Sequence, residues 1–277
     1  MAQTETWARQ IYNEEGYDKL PEYLKEIYES DTDKGFNPDI FLVYCPATRR
    51  DGKPLLERLL YVYDTSLICV EKDKQGISRR QFKAKEIGVI ENGFVLLDAW
   101  MTVAGKNGSG DDILTIHHNN TVAHFFKKMT AMLRAMALGI EFPIKYDNSI
   151  SDSLREESFK YMNYTRNLMF EDDKLIGYVF QKQIKGKFMR MLPVNLTNNH
   201  VLMLTEHEVI QMTEGRKQIE KYGCVSTFFI RRHMDSPLYS EPDKTNRLQL
   251  CLSSGLYRRD TLFDEEKKID LMTLLSH

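Results

Sequence analysis

Apolar and polar positions alternate along Leu60–Val70 (LYVYDTSLICV). They do so again 142 residues later along Leu202–Met212 (LMLTEHEVIQM). Each stretch meets a short polar break containing an acid, then resumes with an apolar pair, Leu67-Ile68 or Val209-Ile210. That pattern predicts two antiparallel strands joined by a tight turn. The offset is close to half of the 277 residues. The chain therefore reads as one β-rich module present twice.

The first 30 residues read as helical, with Trp7 and Ile11 on one face and Gly16 as a stop. A second helix is expected near Pro21, with Leu20, Leu24 and Ile27 along one side. A strand at 41–45 (FLVYC) leads through a turn at Asp51-Gly52 to the Leu60 hairpin. Residues 72–80 read as a polar loop, and Glu91-Asn92-Gly93 as the turn between strands at 86–90 and 94–103. A glycine-rich loop, 105–112, precedes a strand at 113–118. The period then changes. Val122, Phe125, Phe126, Met129, Leu133 and Met136 recur at three and four, predicting an amphipathic helix ended by Gly139.

The second half repeats the order. Ser153 and Glu156 form a capping box for a helix over 154–170. Strands are expected at 176–181 and, after a basic turn at 182–187, at 188–191. An insertion, LPVNLTNN, precedes the repeated hairpin. Strands follow at 224–230 and around Leu248, Leu250 and Leu252. An amphipathic helix over 264–275, with Ile269, Met272 and Leu275 on one side, closes the chain. The expected fold class is mainly β with helices (α+β). It comprises two tandem antiparallel barrel or sandwich modules, each closed by a C-terminal amphipathic helix, with extra N-terminal helices. The expected division is 1–145 and 146–277.

Composition changes this picture little. Hydrophobic content of 42% and charge of 28% suit a globular protein, and a net charge of −2 gives no general attraction to nucleic acid. No apolar run approaches the ~20 residues of a membrane helix, and no secretory signal opens the sequence. Cys45, Cys69, Cys224 and Cys251 stand alone inside apolar runs, which predicts buried, reduced thiols and a cytoplasmic location.

The strand pairs LLYVYDTSLICVE and VLMLTEHEVIQMTE, followed by the closing helices VAHFFKKMTAMLRAM and EEKKIDLMTLL, resemble the pleckstrin-homology (PH) architecture, in particular bacterial PH-like domains. The resemblance covers 40–138 and 174–276 and rests on pattern, with no invariant motif. It implies a small sheet structure plugged by a helix. It also implies phosphoinositide or anionic-lipid binding, peptide capture on a sheet edge, or self-association.

The sharpest candidate site is KQIKGKFMR, where Lys182, Lys185, Lys187 and Arg190 cluster on an expected hairpin. PH domains that bind phosphoinositides carry basic residues in a similar place, and ammonium or guanidinium groups suit phosphate oxygens. Arg49, Arg50 and Lys53 occupy the matching turn of the first copy. Solvated hairpin charge is the plainer reading of both. His117 and His118 are strand neighbours that point to opposite faces, so no shared metal is expected, and no cofactor is expected either. Asp111 and Asp112 with His117 or His118 can be imagined as an acid–base set, and no nucleophile motif accompanies them. The sequence thus points to a non-enzymatic binding or assembly module acting on a protein partner or on a second copy. The alternatives are an anionic lipid headgroup at 182–190 and an enzyme site in a cleft between the modules.

Overall fold

A computed structural model describes residues 8–50, 53–188, 192–214, 223–240 and 247–277. The side chains of Arg50, Lys53, Lys187, Phe188 and 192–194 also lie outside the description. The fold is mainly β with helices, and every strand pair among the described residues is antiparallel.

The first half opens with β1 (Arg9–Ile11), α1 (Glu14–Asp18) and α2 (Glu22–Thr32). Asn13 caps α1 by accepting the Gly16 N–H at 2.9 Å. Then come β2 (Phe41–Cys45), a small hairpin of β3 (Thr48–Arg50) and β4 (Lys53–Leu55), and β5 (Glu57–Tyr63), β6 (Ser66–Lys72) and β7 (Ile77–Lys83). The turn between β5 and β6 is Asp64-Thr65, with φ of 45° and 57°, the two positive angles a tight two-residue hairpin needs. Strands β8 (Ile87–Val95), β9 (Asp98–Lys106) and β10 (Asp111–Asn119) lead into α3 (Ala123–Leu138), which Gly139 ends at φ 74°.

The second half runs through β11 (Tyr146–Asp147), α4 (Ser149–Ser153), α5 (Phe159–Thr165) and β12 (Met169–Phe170). Next are β13 (Leu175–Gln181), a hairpin of β14 (Ile184–Phe188) and β15 (Leu192–Thr197), then β16 (His200–Thr205), β17 (Glu208–Thr213) and β18 (Gly223–Ile230). Strands β19 (Leu238–Tyr239), β20 (Arg247–Ser254) and β21 (Tyr257–Asp264) precede α6 (Lys268–Leu275). Both halves thus show two short helices, four strands interrupted by an extra hairpin, three strands and a helix.

The halves are joined through one sheet. Its order is β10-β9-β8-β18-β17-β16-β13, with β8 of the first half bonded to β18 of the second from Gly223↔Val95 to Phe229↔Val89. One face of this sheet shares a core with the other first-half sheet (β1-β2-β5-β6-β7) and with α3. Phe41, Leu60, Phe126 and Leu133 meet Met203, Ile210 and Phe228 there. The other face packs on β20, β21 and α6, where Val89 and Ala104 of the first half join Leu204, Phe229, Leu250 and Phe263. Helices α1 and α2 cover the outer face of the first sheet through Tyr17, Leu24 and Tyr28.

Several expectations are corrected. No sheet among the described residues closes into a barrel, because β8 continues into the other half's sheet at β18. Residues 9–11 form a strand on β2 in place of the expected helix, and Gly16 lies inside α1. Residues 77–83 form a strand that overlaps the expected polar loop at 72–80, exposed over much of its length and so without an apolar stripe. Asn92-Gly93 lies in the middle of β8, and the turn falls at Leu96-Leu97, both 67% exposed. A Cβ on Gly93 would stand 2.1 Å from the Trp100 ring, so this glycine makes room for an indole and no turn. The capping box at Ser153 does not form. Ser158 caps α5 instead, accepting the Tyr161 N–H at 3.4 Å. The basic segment 184–188 is strand, and α6 is rotated from its expected face. Leu271 and Leu274 are buried, while Ile269 and Met272 are 76% and 50% exposed.

Candidate functional site

A cleft of about 670 Å³ lies between the halves. Its floor is the β8–β18 junction, where the cross-strand pairs Phe94/Cys224 and Asn92/Ser226 bring one residue from each half. One wall is a face of α3. Ala123, Phe126, Lys127, Thr130, Ala131 and Arg134 recur at three and four, and Lys128 and Met132 extend this lining around the helix. The other wall is the linker at 142–146 with Asn163 and Tyr164 of α5 and the turn 166–168.

The deep end is fixed by a buried ion pair across the halves. Arg134 of α3 donates to Glu208 of β17 at 2.9 and 2.6 Å and to the Leu168 carbonyl at 2.9 Å. Its guanidinium lies 4.3 Å from the Phe170 ring centre and 3.8 Å from that of Phe228. Burial pushes the Glu208 carboxyl up, and the charge of Arg134 opposes that. Two charges can stay this deep because each is bidentately bonded to the other. A second cross-link lies on the opposite face of the sheet. Glu91 of β8 accepts from Trp100 at 2.7 Å, from Tyr257 at 2.5 Å and from Arg259 at 3.1 Å.

The cleft is cationic and largely aromatic. Lys127, Lys128 and Arg166 are exposed at its lining, and no carboxylate is among the described lining residues. Lys128 Nζ stands 4.9 Å over the Phe41 ring. Cys224 lies on the floor with its thiol pushed up to about 12 by burial, so it is held protonated and poorly nucleophilic. The thiols of Cys45 and Cys69 are also raised to about 12 by burial.

A smaller cavity of about 370 Å³ is lined by Arg49, Arg58, Asp98, His117 and His118. Several of its polar groups have partners within the fold. His117 Nδ1 stands 3.7 Å from Asp98, and Arg58 pairs with Glu71 and donates to the Thr115 carbonyl at 3.2 Å. His118 stacks on Phe126 with ring centres 3.8 Å apart. Among the described residues no three His, Cys, Asp or Glu side chains converge. Asp111 and Asp112 line neither cavity.

None of the described side chains of the expected basic set, Lys182, Lys185 and Arg49, lines the cleft. Lys182 and Lys185 are exposed, and the Lys185 carbonyl accepts from Arg247 at 3.3 Å. Arg190 and the side chain of Lys187 lie outside the described residues, as do those of Arg50 and Lys53. Of the described members of the set, Arg49 lines the smaller of these two cavities. Two features hide the residues that do line the cleft. Asn92 carries a local turn signal, and Lys127, Thr130 and Arg134 sit within an α3 pattern that otherwise reads as core. The one visible signal is that polar stripe at positions 127, 130 and 134. No helix among the described residues is long and apolar enough to cross a membrane. Comparison with family models, curated proteins and solved structures finds no match.

Proposed function

We propose that the chain is a non-catalytic binding module, two PH-like units fused through one sheet, whose ligand seat is the cleft between them. The observation that carries this reading is the cleft itself. It is a preformed hollow, lined from both halves, with three exposed cations and no carboxylate among the described residues. Its volume falls within the ~300–1,000 Å³ typical of small-molecule pockets. The PH-like assignment is supported by the order of four strands, three strands and a helix in each half, with an extra hairpin in the same slot. A non-catalytic role is supported by the chemistry of the floor, where Cys224 is a protonated thiol and Asn92 donates to Thr130 at 2.7 Å. A second reading, self-association, draws on the exposed Ile269 and Met272 of α6.

Methionine-methyl NMR separates the two. Met132 lines the cleft and Met272 lies on the outer face of α6. Titration with anilinonaphthalene sulfonate, an anionic aromatic probe, is expected to shift Met132 and leave Met272 in place. A shift confined to Met272 would remove the cleft as the ligand seat.

A further inference from the structure

Resting on that reading of the cleft, we infer that its occupant is a single-chain anionic amphiphile, with an acidic head at Lys127, Lys128 and Arg166 and an apolar tail along the aromatic floor. Three features argue for this class. First, the sign of the lining is unopposed, since every ionised side chain there is a cation and the one buried among them, Arg134, is already neutralised by Glu208. An anion entering here meets attraction without a like charge beside it. Second, Phe94, Phe126 and Phe228 come from the floor and from α3, so the hollow can take an extended apolar tail. Third, three of the cleft's side-chain amides each already spend one N–H within the fold. Asn92 donates to Thr130, Asn120 to the Leu96 carbonyl at 3.1 Å, and Asn163 to the Phe159 carbonyl at 3.2 Å. A peptide would bring a row of its own N–H and C=O groups into aromatic surroundings that hold few polar partners for them. Burying a backbone polar group without a partner is costly. A carboxylate or phosphate on a hydrocarbon chain has no such groups along its length. The polar part is then confined to the exposed rim, where the lysines and the arginine can reach it.

The test uses the whole chain with oleate, dodecyl phosphate, oleyl alcohol and inorganic phosphate, read by calorimetry and by the methyl signal of Met132 at the cleft lining. Oleate and dodecyl phosphate are expected to bind about tenfold or more tightly than oleyl alcohol, a difference of one charged head. Inorganic phosphate alone is expected to bind more weakly than either. The variant Lys127→Ala/Lys128→Ala/Arg166→Ala is expected to bring oleate down to the level of the alcohol. Ala131→Trp, which fills the α3 wall, is expected to abolish binding of both, and near-ultraviolet circular dichroism checks that each variant is folded. Equal affinity for oleate and oleyl alcohol overturns the inference, and so does full oleate binding by the triple variant. If none of the four ligands binds while anilinonaphthalene sulfonate still shifts Met132, the inference fails and the cleft reading survives. If Ala131→Trp binds every ligand like the native chain, both fail. Sedimentation with phosphatidylcholine vesicles, with and without phosphatidylserine, tells the source of the amphiphile. Pelleting that needs phosphatidylserine and the three cations marks a lipid drawn from a bilayer, and a chain that takes oleate but stays in the supernatant marks a free one. Pelleting unaffected by the triple substitution and by Ala131→Trp contradicts the proposal.

Discussion

Arg134 sits in the middle of an apolar helix stripe, where a sequence pattern expects core. The structure explains it by Glu208, 74 positions away in sequence, and by two aromatic rings that sandwich the guanidinium. Side-chain exposures of 3% and 0% leave neither charge to water. Removing one partner therefore strands the other: Arg134→Met is expected to cost about 3–5 kcal/mol in chemical denaturation, whereas Arg134→Met with Glu208→Met recovers most of it. His200 makes a different prediction. It is fully buried on the Phe263 ring, and burial lowers its pKa from 6.5 to about 4. The folded state thus holds it neutral while the unfolded chain takes up a proton near 6.5. Stability is full above that pH and falls by about 3 kcal/mol as the pH drops from 6.5 to 4. His200→Gln should flatten the slope of stability against pH in that window, and an unchanged slope contradicts the assignment. Neither residue announces its role in sequence, because pairing and burial are set by contacts far along the chain.

Among elements, the strand pairs with strong alternation are legible in the sequence, and the polar or doubly buried ones are not. Both copies of the repeated hairpin, β5–β6 and β16–β17, form where the alternation places them. Strand β8 escapes a sequence reading because Asn-Gly is a strong local turn signal. Here the absence of a Gly93 side chain admits the Trp100 ring. Gly93→Ala is expected to cost about 1–3 kcal/mol by overpacking and to move the Trp100 emission. The closing helix α6 forms in its expected place but turned about its axis. Its apolar residues, Ile269, Leu271, Met272, Leu274 and Leu275, point to more than one side, so their spacing does not say which of them a sheet covers. Its outer face makes self-association testable by light scattering across a dilution series. Concentration-dependent mass that Met272→Glu abolishes supports pairing through α6, and a constant monomer mass removes that reading.

At the scale of the molecule, the repeated hairpin pattern is readable from the sequence but the joint between the halves is not. A seven-stranded sheet crossing from β8 to β18 depends on pairing between segments some 130 residues apart, which no local periodicity encodes. The shared cores and the two buried cross-links, Arg134–Glu208 and Glu91–Arg259, predict one cooperative unfolding transition for the whole chain. Two separated transitions by fluorescence and circular dichroism would contradict this. The same joint makes the cleft, since its floor exists only where β8 meets β18. The most direct measurement of the account is the hydrogen-exchange footprint of the oleate-bound chain. Slowed exchange is expected at once in α3 and β8 of the first half and in α5 and β18 of the second. A footprint confined to one half, or centred on the β14–β15 hairpin, contradicts a ligand seat shared by both.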